Sequence, residues 1–131
     1  MRETLNDAFD AERPREQSVW GLVISPTVWA AHFLFSYGTA AVYCSKVGGD
    51  ALPVRIAVAA YTGAALIAIG LTGLRAYRTW GGPEARIPPL SRHTLEDRRR
   101  FIGFAGLLLS TISFIATLYD ALPALIFETC R

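Results

Sequence analysis

Three long stretches of this chain carry no charged residue, and they decide what it can fold into. The first runs from Trp20 to Cys44. The second runs from Ile56 to Leu74, between Arg55 and Arg75. The third runs from Phe101 to Tyr119, where Asp120 ends it. They hold 25, 19 and 19 residues. A helix needs about 20 apolar residues to cross a hydrocarbon core ~30 Å thick. Backbone groups in lipid are satisfied only by helices or closed barrels, and barrel strands are ~10 residues long and alternate strictly. The expected fold is therefore an all-α integral membrane bundle of three transmembrane helices. Composition agrees: 52% of the 131 residues are apolar, only 18% are charged, and mean hydropathy is +0.31. Those values exclude a disordered chain and a disulfide-dense scaffold.

The first run is not a removable signal, because it is too long and follows an arm bearing Glu3, Asp7, Asp10, Glu12 and Glu16. Tyr43 is too bulky to precede a lipidated Cys44. The expected segments are a cytoplasmic arm (1–19), spans at 20–44, 56–74 and 101–119, an outer loop (45–55), an Arg-rich cytoplasmic loop (75–100) and an outer tail (120–131). The arm could lay Leu5, Phe9 and two alanines on a membrane surface or a partner.

Basic residues near span ends stay in the cytoplasm. The second loop holds Arg75, Arg78, Arg86, Arg92, Arg98, Arg99 and Arg100, and the arm holds Arg2, Arg13 and Arg15; only Lys46, Arg55 and Arg131 fall elsewhere. Ten of the thirteen basic residues thus lie on one side. The N-terminus is expected in the cytoplasm and the C-terminus in the periplasm of a bacterial inner membrane. Twelve arginines to one lysine suit a GC-rich bacterial genome.

This orientation puts both cysteines of the chain, Cys44 and Cys130, on the outer, oxidising side, where a disulfide between them is the economical arrangement. Loop entropy gives such a bridge ~4–5 kcal/mol as an upper bound for helices already inserted. Two unpaired thiols are the alternative, and neither cysteine has zinc-site spacing. Thr94 and Asp97 resemble a capping box, so the third helix is expected to start there, with Arg98, Arg99 and Arg100 in its first turn. That cluster is a topology signal, or a contact for anionic lipid or an acidic partner surface. No nucleic-acid motif accompanies it.

Each run has a polar or small stripe at helical spacing: Ser25, Trp29, His32, Ser36, Thr39 and Tyr43 in the first; Gly103, Gly106, Ser110, Ser113 and Thr117 in the third; Ala57, Tyr61, Ala64, Ala68 and Thr72 in the second. Such stripes are expected to be the packing faces of a bundle in lipid. A second small face of the middle helix, at Ala59 and Gly63, is left for a larger partner. Arg55 and Asp120 are expected to pair at the outer boundary.

His32 lies about 18 Å along its helix, near the midplane, where ionisable groups are costly and often functional. The simplest role is a neutral imidazole bonded to a hydroxyl on a neighbouring helix. The sharper alternative is cofactor binding, with haem held by two copies of His32 or a quinone contacting it. No set of metal ligands, membrane-embedded carboxylate relay or nucleophile–base pair accompanies it, so no metal site or catalytic residue is expected.

The stretch Pro26-Thr-Val-Trp29-Ala-Ala-His32-Phe33, then Tyr37 and Cys44, resembles the first helix of a group of small uncharacterised bacterial membrane proteins. Gly103-Phe-Ala-Gly106-Leu-Leu-Leu-Ser110, then Pro123 and Cys130, resembles their third. Genes of that group often lie beside those for haem–copper cytochrome c oxidases. The resemblance covers the first and third spans and implies a respiratory setting, with no catalytic residues to carry over. Together with the absence of catalytic groups and the small-residue faces, it leads to the expectation of a non-catalytic accessory or assembly subunit, with larger respiratory subunits and membrane lipids as partners and no cofactor of its own. A haem- or quinone-binding electron carrier on His32 is the alternative, and a holin-like self-assembling pore is a third.

Overall fold

A computed structural model describes residues 19–83 and 95–130. The helices are α1 (Trp20–Lys46), α2 (Leu52–Trp80) and α3 (Leu95–Ile126). All three pack on one another. Among the described residues there are no strands, only a bridge between Asp50 and Thr129. The expectations for the N-terminal arm, for Thr94 as a cap and for residues 84–94 of the expected loop lie outside the described residues, while 75–80 and 95–100 belong to α2 and α3.

The helices outrun the charge-free stretches. α2 begins where the Asp50 carboxylate accepts the Leu52 N–H at 3.0 Å, and Pro53 suits a first helical turn. It continues past Arg75 and Arg78 to Gly81, whose left-handed backbone ends it. α3 continues through Pro123 to Ile126. Gly48 and Gly49, both at positive φ, make the tight turn from α1 to α2. The turn meets the end of α3: Ala51 N–H donates to Glu128 C=O and Cys130 N–H to Gly49 C=O. Cys44 and Cys130 lie there at disulfide distance, their Cα atoms 5.3 Å apart.

α2 and α3 are each long and apolar enough to cross a membrane, and only 22% and 28% of their most apolar windows are buried within the chain. A core helix of a water-soluble domain would be mostly buried. α1 is as long but does not reach the same apolarity, because Ser25, Pro26, Thr27, His32 and Ser36 interrupt its hydrophobic residues.

The burial pattern is inverted. Ser25, His32, Ser36, Ser110, Ser113 and Thr117 are buried, whereas Leu34, Phe35, Ile67, Ile112 and Leu125 are exposed. The stripe of α3 faces inward over its whole length, and on α1 Ser25, His32 and Ser36 are buried. The stripe expected for α2 is corrected. Tyr61 and Ala64 are exposed, and the buried residues are Val54, Val58, Ala65, Ile69, Gly73 and Trp80. That face lies one residue, or about 100°, round the helix. Where the small stripe of α3 crosses the end of α2, Gly103 and Gly106 meet the Trp80 backbone and Ala76.

Two glycines set the closeness of α2 and α3. A Cβ on Gly103 would stand 2.5 Å from the Trp80 nitrogen and 3.0 Å from the Ala76 carbonyl oxygen; on Gly73 it would stand 3.2 Å from Ser110 Cβ. At Gly103 the obstacle is backbone, which cannot rotate aside. Gly63 and Gly70 meet nothing within 4 Å. Gly103→Ala is therefore expected to destabilise the detergent-purified protein by about 1–3 kcal/mol. Gly63→Ala should leave it unchanged or slightly more stable. Thermal unfolding followed by circular dichroism measures both; equal effects would contradict the close crossing.

Candidate functional site

Three polar contacts tie α1 to its neighbours at successive levels. Ser25 and Ser110 share a hydrogen bond of 2.8 Å between α1 and α3. Further along, Trp29 Nε1 donates to Asp120 Oδ2 at 2.8 Å, also joining α1 to α3. His32 Nε2 lies 2.9 Å from Thr62 Oγ1 on α2. Ser25 is 1% and His32 3% exposed. A buried polar group without a partner costs roughly 1–3 kcal/mol, so each pair holds both members in place.

The His32 contact fixes a tautomer. Thr62 Oγ1 donates its own proton to the Val58 carbonyl at 2.7 Å. Its oxygen can therefore only accept from His32, and Nε2 carries the proton. Ser36 Oγ lies a turn away at 3.4 Å from the same nitrogen. The other ring nitrogen, Nδ1, is buried and has no hydrogen-bond partner among the described residues. His32 is thus bonded through Nε2 to a hydroxyl of a neighbouring helix.

Threonines on both the inner and outer surfaces bond back to their own helix. Thr27 and Thr111 are exposed and Thr79 half-buried, yet each hydroxyl donates to the carbonyl four residues earlier, as does buried Thr117. This pattern satisfies a hydroxyl without water.

Between the outer ends of the helices lies a cavity of about 300 Å³. Ser36, Arg55 and Asp120 are its polar walls, and Tyr37, Tyr119 and Phe127 are among its aromatic ones. The ion pair expected between Arg55 and Asp120 is absent among the described residues. Asp120 instead accepts a hydrogen bond from the half-buried Trp29 indole N–H. Arg98 and Arg99 are exposed and Arg100 half-buried, near the start of α3. Among the described residues no group of three His, Cys, Asp or Glu side chains could hold a metal ion.

Sequence reasoning singled out His32 but missed Thr62, which stands beside the stripe assigned to α2. It also missed the Trp29–Asp120 bond, whose partners are 91 residues apart. No family model, curated protein or solved structure matches this chain.

Thr62→Val strands the His32 Nε2–H and is expected to cost about 1 kcal/mol, in line with hydrogen bonds between helices in membranes. Adding His32→Leu should cost less than the sum of the single losses. Equilibrium unfolding of the four proteins of this cycle in mixed detergent measures the coupling. Strict additivity would show that the two side chains do not interact.

Proposed function

We propose that this chain is a three-span bundle of a bacterial inner membrane, acting as a non-catalytic accessory or assembly subunit of a respiratory complex. The observation that carries it is the inverted polarity. Ser25, Trp29 and His32 of α1 bond to partners on the other two helices, and large apolar side chains are exposed on every helix. In lipid no hydrophobic force joins helices, so close packing and hydrogen bonds must do it. α1 crosses as the third span because Ser25, Trp29 and His32 each find a hydrogen-bond partner on another helix.

The arginine distribution favours a cytoplasmic N-terminus and a periplasmic C-terminus. That direction sets Cys44 and Cys130 in an oxidising compartment, in keeping with their approach. It also sets Arg98 and Arg99 at the cytoplasmic surface, where anionic lipid or an acidic partner would meet them.

The outer face of α2 supports the accessory role. Ala59, Gly63 and Gly70 are exposed, and no atom of the bundle uses the space their small size leaves. Such a face lets a partner helix approach closely. A larger subunit of a cytochrome oxidase is the partner that the resemblance implies. The haem-carrier reading fits less well, since His32 is buried within the bundle and two copies could share it only by opening the bundle.

The test is affinity purification of the tagged chain from its native membrane in mild detergent, with mass spectrometry of what accompanies it. Oxidase subunits in stoichiometric amount are expected, and Gly63→Leu should release them without unfolding the chain. Recovery of the chain alone, or a haem Soret band lost in His32→Ala, would overturn the accessory role.

A further inference from the structure

The outer cavity holds two opposite charges that do not pair with each other. Arg55 comes from α2 and Asp120 from α3, and both are half-buried in walls that are otherwise mostly apolar. Asp120 is held by Trp29 through Oδ2, which leaves Oδ1 without a protein donor among the described residues. Half-buried charges in apolar surroundings gain from any group that completes their hydrogen bonds. An occupant that satisfies both must bring an anionic acceptor to Arg55 and a cationic N–H donor to Asp120.

We propose that the cavity is a headgroup site for a zwitterionic phospholipid with a primary ammonium, of the phosphatidylethanolamine class. Its phosphate pairs with the Arg55 guanidinium, a geometry that arginine forks suit. Its ammonium donates to Asp120 Oδ1, and the Ser36 hydroxyl adds a further polar contact. The volume of about 300 Å³ accommodates a headgroup and not two acyl chains. Tyr37 and Tyr119, which are 69% and 68% exposed, flank the cavity on α1 and α3. The chains leave past them along the outer surface. Competing occupants fit less well. A phosphatidylcholine headgroup has no N–H for Asp120, and a phosphatidylglycerol headgroup has no cation. A quinone offers only acceptors, which would face the Asp120 carboxylate lone pairs.

This site rests on the membrane reading, and the two fail differently. The full chain is purified in mild detergent, exchanged into mixtures of phosphatidylethanolamine, phosphatidylcholine and phosphatidylglycerol, and examined by native mass spectrometry. One phosphatidylethanolamine per chain is expected, retained about tenfold over phosphatidylglycerol and less strongly over phosphatidylcholine. Asp120→Asn should erase the preference over phosphatidylcholine. Arg55→Gln should weaken all three and leave the Trp29 contact intact. Equal retention of the three lipids by the unmodified chain overturns the site whether or not the Asp120 variant folds. So does a preference that survives both substitutions, or a quinone found in an organic extract of the purified protein. Release of the chain from membranes by alkaline carbonate would overturn the membrane reading, and the site with it.

Discussion

The bundle depends on the polar contacts that α1 makes with its neighbours. The apolar residues of α1 are interrupted by polar ones, and several of these are sheltered where another helix offers a matching group. Ser110, Asp120 and Thr62 are those groups, on two different helices and at three levels. Their directionality fixes the rotation of α1 and its height against α2 and α3, which dispersion between apolar side chains would leave loose. The individual bonds are modest, roughly 0.6 kcal/mol on average for contacts of this kind in a membrane. Leaving one unmade costs more, so the set selects a single register.

Close packing and closure of the outer end complete the arrangement. Gly103 lets the backbone of α3 pass against the end of α2 at Trp80, whose ring meets that of Phe104 at a tilt of 53° with centroids 5.5 Å apart. At the opposite end, the Gly48–Gly49 turn, the bridge from Asp50 to Thr129 and the approach of Cys44 to Cys130 tie α1 to the tail after α3. Between these two ends lies a buried layer of hydroxyl and small side chains, with Thr117 at 0% exposure. The cavity lies beside that closure, and Arg55 and Asp120 both line it without pairing with each other.

Much of this was legible in the sequence, for a physical reason. The stripes of α1 and α3 consist of residues that are conspicuous among leucines and phenylalanines, so their period marks the inward face. α2 was read one residue out of phase because it carries two small faces. The conspicuous alanines and glycines look outward, and the branched Val54, Val58 and Ile69 pack inward. Branched residues look alike whether they face lipid or a neighbouring helix, so composition could not separate the two. The nearness of the cysteines followed from counting spans and arginines. The partners of Trp29 and His32 were beyond reach, since they depend on the rotation of helices that meet only in three dimensions. Arg55 and Asp120 were recognised as neighbours, but the claim of the Trp29 indole on Asp120 was not.

The central claim is that the apolar outside of this bundle faces lipid while its polar inside stays dry. Spin labels placed one at a time at Phe35, Ile67 and Ile112, one exposed site on each helix, test it in liposomes by power-saturation spectroscopy. The account predicts strong relaxation by oxygen, which dissolves in lipid, and almost none by a water-soluble nickel chelate at all three sites. Strong relaxation by the chelate at any of them would mean that water, and not lipid, covers that helix, and would contradict the account.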